Sequence, residues 1–333
     1  MKRTNIFLLL LVLTIFNSIA EARDISRATV LFLRIPPNAR SWGLGRAYAA
    51  MADDIGSAYF NPAGLVNIQK DQAMLMYAPW MRQFVDDMHF SYFAWGRNIK
   101  DIGHVAAHLT FMFLGTQDRV GEDGTPQGSF SSYEFALSLS YGTYLGDYLA
   151  VGGTFKYIHS HLASAGAGQE VGSGVGKSFA VDAGILYTMP FKPEWKVGAS
   201  IANVGPKMAY IDAAQADPLP RVLKIGTAYK IINKEYNQVT ATMDLDIDMV
   251  GVSREDLKDK FSSLIYCGGA EYWYAKAIGL RAGYYYDKDG EVKAPTFGAS
   301  ILWEKFQFDF GYFKGDTGHP LENQMLFSLL FRI

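Results

Sequence analysis

From about Ala73 to the end of the chain, apolar and polar residues alternate with a period of two. Tyr133, Phe135, Leu137, Leu139 and Tyr141 interleave with Glu134, Ala136, Ser138, Ser140 and Gly142. Phe179, Val181, Ala183, Ile185 and Tyr187 do the same with Ser178, Ala180, Asp182, Gly184 and Leu186, and similar runs cover 239–248 and 306–313. This period predicts strands with one apolar face. The runs match the roughly 9–11 residues of a tilted membrane strand better than the roughly 5–6 of a soluble sheet. Their polar members are mostly Ser, Gly, Ala, Thr and Asp, small residues that suit a crowded interior rather than a free solvent face.

Fourteen such segments are expected, at 72–77, 88–96, 104–114, 133–143, 148–159, 178–189, 195–203, 222–231, 238–249, 263–275, 277–287, 295–304, 305–314 and 323–333. The spacers between them are alternately short and long. Short periplasmic turns and longer outer loops are the mark of an outer-membrane barrel, as is an even strand number. The expected fold is therefore all-β: a transmembrane antiparallel β-barrel of about 14 strands with an N-terminal helical plug. The same register predicts both termini on the periplasmic side.

The plug expectation comes from residues 23–70, which precede the alternation. From Arg40 to Tyr59 the pattern reads as helical, with Ser41 as cap and Leu44, Ala47, Tyr48, Met51 and Ile55 near one face. Asn61-Pro62 then turns the chain. A barrel of this size encloses a lumen, and a helix and turn ahead of the first strand are placed to fill it. Residues 1–22 read as a secretory signal: Lys2 and Arg3, then an apolar run from Ile6 to Phe16, then small residues around Ala20 and Ala22. The barrel itself is expected over 71–333.

Composition agrees. Hydrophobic residues make up 49% and aromatics 14% of 333 residues. The mean hydropathy of +0.01 is too low for a helical polytopic membrane protein. A net charge of −2 gives no basic excess and no reason to expect nucleic acid as a partner. Cys267 is the single cysteine, so no intrachain disulfide forms. Tyr141, Tyr144, Tyr148, Trp195, Tyr272, Tyr274, Tyr284, Tyr286 and Trp303 fall near strand ends, where interface girdles need them.

Motifs for chemistry do not assemble. "GSGVGKS" (172–178) resembles a phosphate loop, but Val171 stands where the first glycine is required and a strand follows. Asp244, Asp246, Asp248 and Glu255 have calcium-loop spacing, with Met249 replacing the turn glycine. Period two instead puts the three aspartates on one strand face, as a polar lumen row paired with Arg281, Arg221 or Lys224. His104 with His108, and His159 with His161, lack a third ligand. No catalytic residue, cofactor or metal site is expected.

The stretch "NARSWGLGRAYAAMADDIGSAYFNPAGLVNI" (38–68) resembles the N-terminal signature of the PorV/PorQ family, part of the FadL-like outer-membrane barrels. The matching positions are Ala39, Arg40, Gly43, Gly45, Ala47, Asp53, Asp54, Tyr59, Phe60, Asn61, Pro62, Ala63, Gly64 and Leu65. Trp42 and Arg46 depart from the small residues more usual there. The resemblance implies a bacterial outer-membrane protein of type IX secretion, a shuttle or adaptor that binds the C-terminal domains of secreted cargo and meets other secretion components. In the FadL-like branch it implies instead a passive transporter of long-chain fatty acids or other hydrophobic molecules, with Asn61, Pro62 and Ala63 in the hatch. A structural barrel without dedicated cargo is the third possibility. In each case outer-membrane lipid is a partner. The loops "GTQDRVGEDGTPQGSFSS" (115–132) and "SHLASAGAGQEVGSGVGK" (160–177) are polar and Gly-rich, which suits protein contact better than capture of an apolar ligand.

Overall fold

A computed structural model of the chain describes residues 28–82, 85–121, 123–163, 173–211, 213–250 and 264–333. The expected signal segment and Glu255 lie outside the described residues. Fourteen strands form a closed antiparallel barrel in sequence order. They are β1 (Gln72–Pro79), β2 (His89–Ile99), β3 (Gly103–Val120), β4 (Pro126–Leu145), β5 (Leu149–Ala163), β6 (Gly174–Thr188) and β7 (Trp195–Val204). Then follow β8 (Val222–Asn233), β9 (Asn237–Asp248), β10 (Ile265–Tyr274), β11 (Ile278–Asp287), β12 (Val292–Trp303), β13 (Phe306–Phe313) and β14 (Gln324–Arg332). β14 closes on β1 with Gln72 opposite Arg332 and Tyr77 opposite Phe327, so neither edge is left open to water or lipid.

The alternation has its expected physical cause. Outward positions are apolar and exposed, with Leu139 at 62% and Ile301 at 61%. Inward neighbours such as Ser138, Ser140, Asp182, Asp244 and Ser300 are buried. An apolar surface running round a closed barrel needs lipid as its solvent. Trp303 (68% exposed) and Tyr274 (52%) sit outward at the short-turn end, as do Tyr144 and Tyr148 at the β4–β5 turn. No helix among the described residues is long and apolar enough to cross a membrane; the strands do so.

β3 and β4 are the longest strands, at 18 and 20 residues, well beyond the roughly 9–11 a bilayer needs. Their hairpin continues past the wall on the long-loop side, with register shifts between Phe113 and Gly115 and between Asp118 and Val120. Asp87 pins its base by accepting from the Thr116 amide at 2.9 Å.

One expectation needs correction. The long helix over Arg40–Tyr59 does not form. In its place are α1 (Ala39–Trp42), turns through Met51, α2 (Ser57–Phe60) and a 3₁₀ turn at Pro62–Asn67. Gly45 (φ 64°) and Arg46 (φ 70°) are left-handed and stop α1. Backbone amides that a helix would use internally bond to the wall instead: Gly45 to Thr296 Oγ1 at 3.0 Å, and Tyr48 and Ala49 to Asp244 at 2.6 and 2.7 Å. The expectation of a periplasmic N-terminus falls on residues outside the described ones, whereas the C-terminal end is described. Ile333 bonds to Asp71 at the short-turn end. Thr29, however, donates its amide to Pro218 and shares its hydroxyl with Tyr210, both on the long-loop connection between β7 and β8. From Thr29 onward the described segment therefore runs from the outer side through the lumen to β1.

Candidate functional site

The lumen is where the N-terminal segment meets the wall, and glycines make that meeting possible. Gly96, Gly142, Gly152, Gly184, Gly198, Gly226, Gly269, Gly283, Gly298 and Gly311 belong to ten different strands, and each faces this segment. A Cβ at Gly142 would lie 2.7 Å from the Pro62 carbonyl oxygen, and one at Gly269 2.8 Å from Leu44 Cα. At Gly152, Gly184, Gly198 and Gly311 it would overlap Pro62, Asn61, Ala49 and Ala39. Backbone packs on backbone around the circumference, a close approach that only glycine permits.

Arg40 holds the segment electrically. It is only 5% exposed. Its guanidinium grips Glu271 of β10 with two bonds, Nε to Oε2 at 2.8 Å and Nη2 to Oε1 at 2.7 Å. It also reaches Asp53 at 2.6 Å, Asp54 at 3.0 Å and the Tyr48 hydroxyl at 2.9 Å. Tyr48 in turn donates to Asp54 at 2.6 Å. Burial pushes the Asp54 carboxyl above its ordinary range, against the pull of Arg40, and raises the Tyr48 phenol likewise. On the wall side, Glu271 also accepts from Arg281 Nε at 2.5 Å, and Arg281 continues to Ser300 and Asp309. A bidentate arginine in a dry site fixes both position and orientation.

The remaining motif residues serve the same seat. Asn61 Nδ2 donates to Ala49 O at 2.8 Å and to Ile185 O of β6 at 2.9 Å, while its Oδ1 caps the Ala63 amide at 3.2 Å. Pro62 starts the 3₁₀ turn, where a missing N–H costs nothing. Gly64 lies against Ala52 and Ser57, with no room for a side chain. Gly43 packs on Gly298 of the wall strand β12. Trp42 and Arg46, the departures from the family pattern, pack together: the Arg46 guanidinium lies 5.0 Å from the Trp42 ring and 4.8 Å from that of Tyr285.

The three aspartates of β9 face the lumen as a row, with different partners. Asp244 accepts the Tyr48 and Ala49 amides, Asp246 pairs with Lys224, and Asp248 pairs with Arg34 of the descending segment. Arg281 belongs to the Glu271 cluster instead. Gly174–Lys177, the tail of the phosphate-loop look-alike, is part of β6. His104 and His108 face inward on β3, whereas His159 and His161 face outward on β5 beside the Tyr133 ring. Among the described residues no group of three or more His, Cys, Asp or Glu side chains is placed to hold a metal.

What this arrangement defines is a barrel closed from within by its own N-terminal segment. Comparison gives that class a family. The family described as type IX secretion system protein PorV matches residues 17–254, and the chain belongs to it. No curated protein matches the sequence. Among solved structures, the toluene transporter TbuX of Ralstonia pickettii is 15% identical, with a TM-score of 0.53 over 89% of this chain and 98% of its own. The toluene transporter TodX of P. putida is 13% identical, with a TM-score of 0.54 over 89% and 98%. A FadL homologue of Pseudomonas aeruginosa is 12% identical, at 0.50 over 88% and 97%. At these identities the likeness is one of fold. The chain has the fold of these barrels, sits in the bacterial outer membrane, and its family is one of type IX secretion.

Proposed function

We propose that this barrel is a non-enzymatic adaptor of type IX secretion that binds cargo at its outer face. The observation that supports this most is the seat of residues 38–68. Close contact with glycines of ten strands and a buried arginine cluster hold the lumen shut. A lumen so filled leaves recognition to the outer loops, and among the described residues β3 and β4 are the longest strands and carry their hairpin past the wall. The motif residues Gly43, Gly45, Asp53, Asp54, Asn61, Pro62, Ala63 and Gly64 act here as a structural plug.

The FadL-like reading, passage of a hydrophobic molecule, draws support from the apolar upper lumen. Phe32, Leu33, Trp80, Phe90, Met112 and Met208 are buried there in one cluster. Transport would require this packing to open. The deciding experiment is affinity purification of the tagged protein from outer membranes in mild detergent, with mass spectrometry of proteins and lipids together. Exported proteins sharing a C-terminal β-domain are expected. A bound fatty acid or other hydrophobe with no protein partner would replace the adaptor reading with the transporter.

A further inference from the structure

The short-turn mouth of the barrel carries cations that no carboxylate among the described residues meets at ion-pair distance. Two hollows open there on either side of Asp53. One, of about 240 Å³, is lined by Lys196, Lys230 and Glu194 over an apolar floor that includes Met51 and Ala228. The other, of about 160 Å³, is lined by Lys276 and Arg332, with Trp273 and Leu302 as its apolar wall. Asp53 is already bound by Arg40. Lys196 donates to Asn67 at 3.1 Å and Arg332 to Gln307 at 2.7 Å, both neutral amides. Among the described residues none of these four cations forms an ion pair.

We infer that the periplasmic mouth docks an acidic peptide segment of a partner protein. The four cations stand on β7, β8, the β10–β11 turn and β14, so no single small oxyanion reaches them all. An extended chain carrying several carboxylates does, with its apolar parts on Met51, Ala228, Trp273 and Leu302. Cations in a concave, low-dielectric rim attract such a segment over a distance of about one Debye length, roughly 8 Å at physiological salt. This site is on the face opposite the outer loops, so it stands or falls apart from the cargo reading.

The test uses the full-length barrel in detergent and fluorescein-labelled oligoglutamate, read by anisotropy. The double variant K230Q/K276Q should weaken binding about fivefold, each exposed pair contributing modestly. The control K100Q/K305Q removes the same charge from short turns outside both hollows and should leave binding unchanged. Both variants are first checked for the fast-migrating folded band on unheated gels. Absence of binding by the wild type, equal loss in the control, or displacement by equimolar free glutamate or inorganic phosphate would overturn the inference.

Discussion

Arg40 sits among three carboxylates and a phenol, and only one of those carboxylates, Glu271, belongs to the wall. Two bonds to Glu271 therefore join residues 231 positions apart in sequence. Removing one partner from a buried ion network typically costs about 3–5 kcal/mol, because the other charges stay buried and unpaired. Arg40→Met keeps the stem and deletes the charge. It should lower the temperature at which the fast-migrating folded band converts to the slow one, with Lys100→Met as an unaffected comparison. Asn61 works through neutral bonds, each of which leaves an unsatisfied group worth about 1–3 kcal/mol when broken. Replacing Asn61-Pro62 by Ala-Ala frees the Ile185 and Ala49 carbonyls and loses the preset 3₁₀ start. Cells carrying it should become more sensitive to detergent and to large antibiotics, and unchanged permeability would remove the gating role of this turn.

At the level of elements, β5 offers a paired test of the glycine seat. Gly152 faces the lumen, where a Cβ would overlap Pro62; Gly153 faces lipid, its nearest neighbour the Asp182 carbonyl at 3.5 Å. Gly152→Val should reduce folded barrel in the outer membrane or raise its leakiness, while Gly153→Val should be tolerated. The contrast also shows what the sequence carries. The strands were legible because period two is a local pattern and lipid enforces it on every outward position. The smallness of the inward residues signalled a crowded lumen, and the ring of inward glycines is that signal at its strongest, recoverable by reading glycine positions in strand register. The helix over Arg40–Tyr59 was misread because a segment buried on nearly all sides places apolar residues at helical spacing by chance. Its fate was decided by wall groups, Thr296 and Asp244, that no window along residues 40–59 contains. The aspartate row was legible as a face but not in its partners: Asp248 waits on Arg34, 214 residues away.

For the whole molecule, two faces are separated by a filled middle. Strand length places the boundary on the outer side: β3 and β4 pair from His104↔Gly142 up to Val120↔Pro126, well past the outward aromatic pair Phe113↔Tyr133. Polar residues above that pair, Thr116, Ser129 and Ser131 among them, suit water rather than lipid. Hairpin tips of this kind accept shortening without unfolding the sheet below, since the wall keeps its own ladder. Joining Thr116 to Ser131 through Asn-Gly, a turn that matches strand twist, removes the projecting arm and leaves the ten-glycine seat and the Arg40 cluster untouched. The expected outcome separates the two readings of the fold. The shortened barrel should show the wild-type heat-modifiable band and wild-type impermeability, yet lose exported β-domain proteins from the affinity-purified complex. If it retains them in full, the hairpin is not the cargo-binding element. If it loses a bound hydrophobe instead, the arm serves capture for transport, and the barrel works as its FadL-like neighbours do.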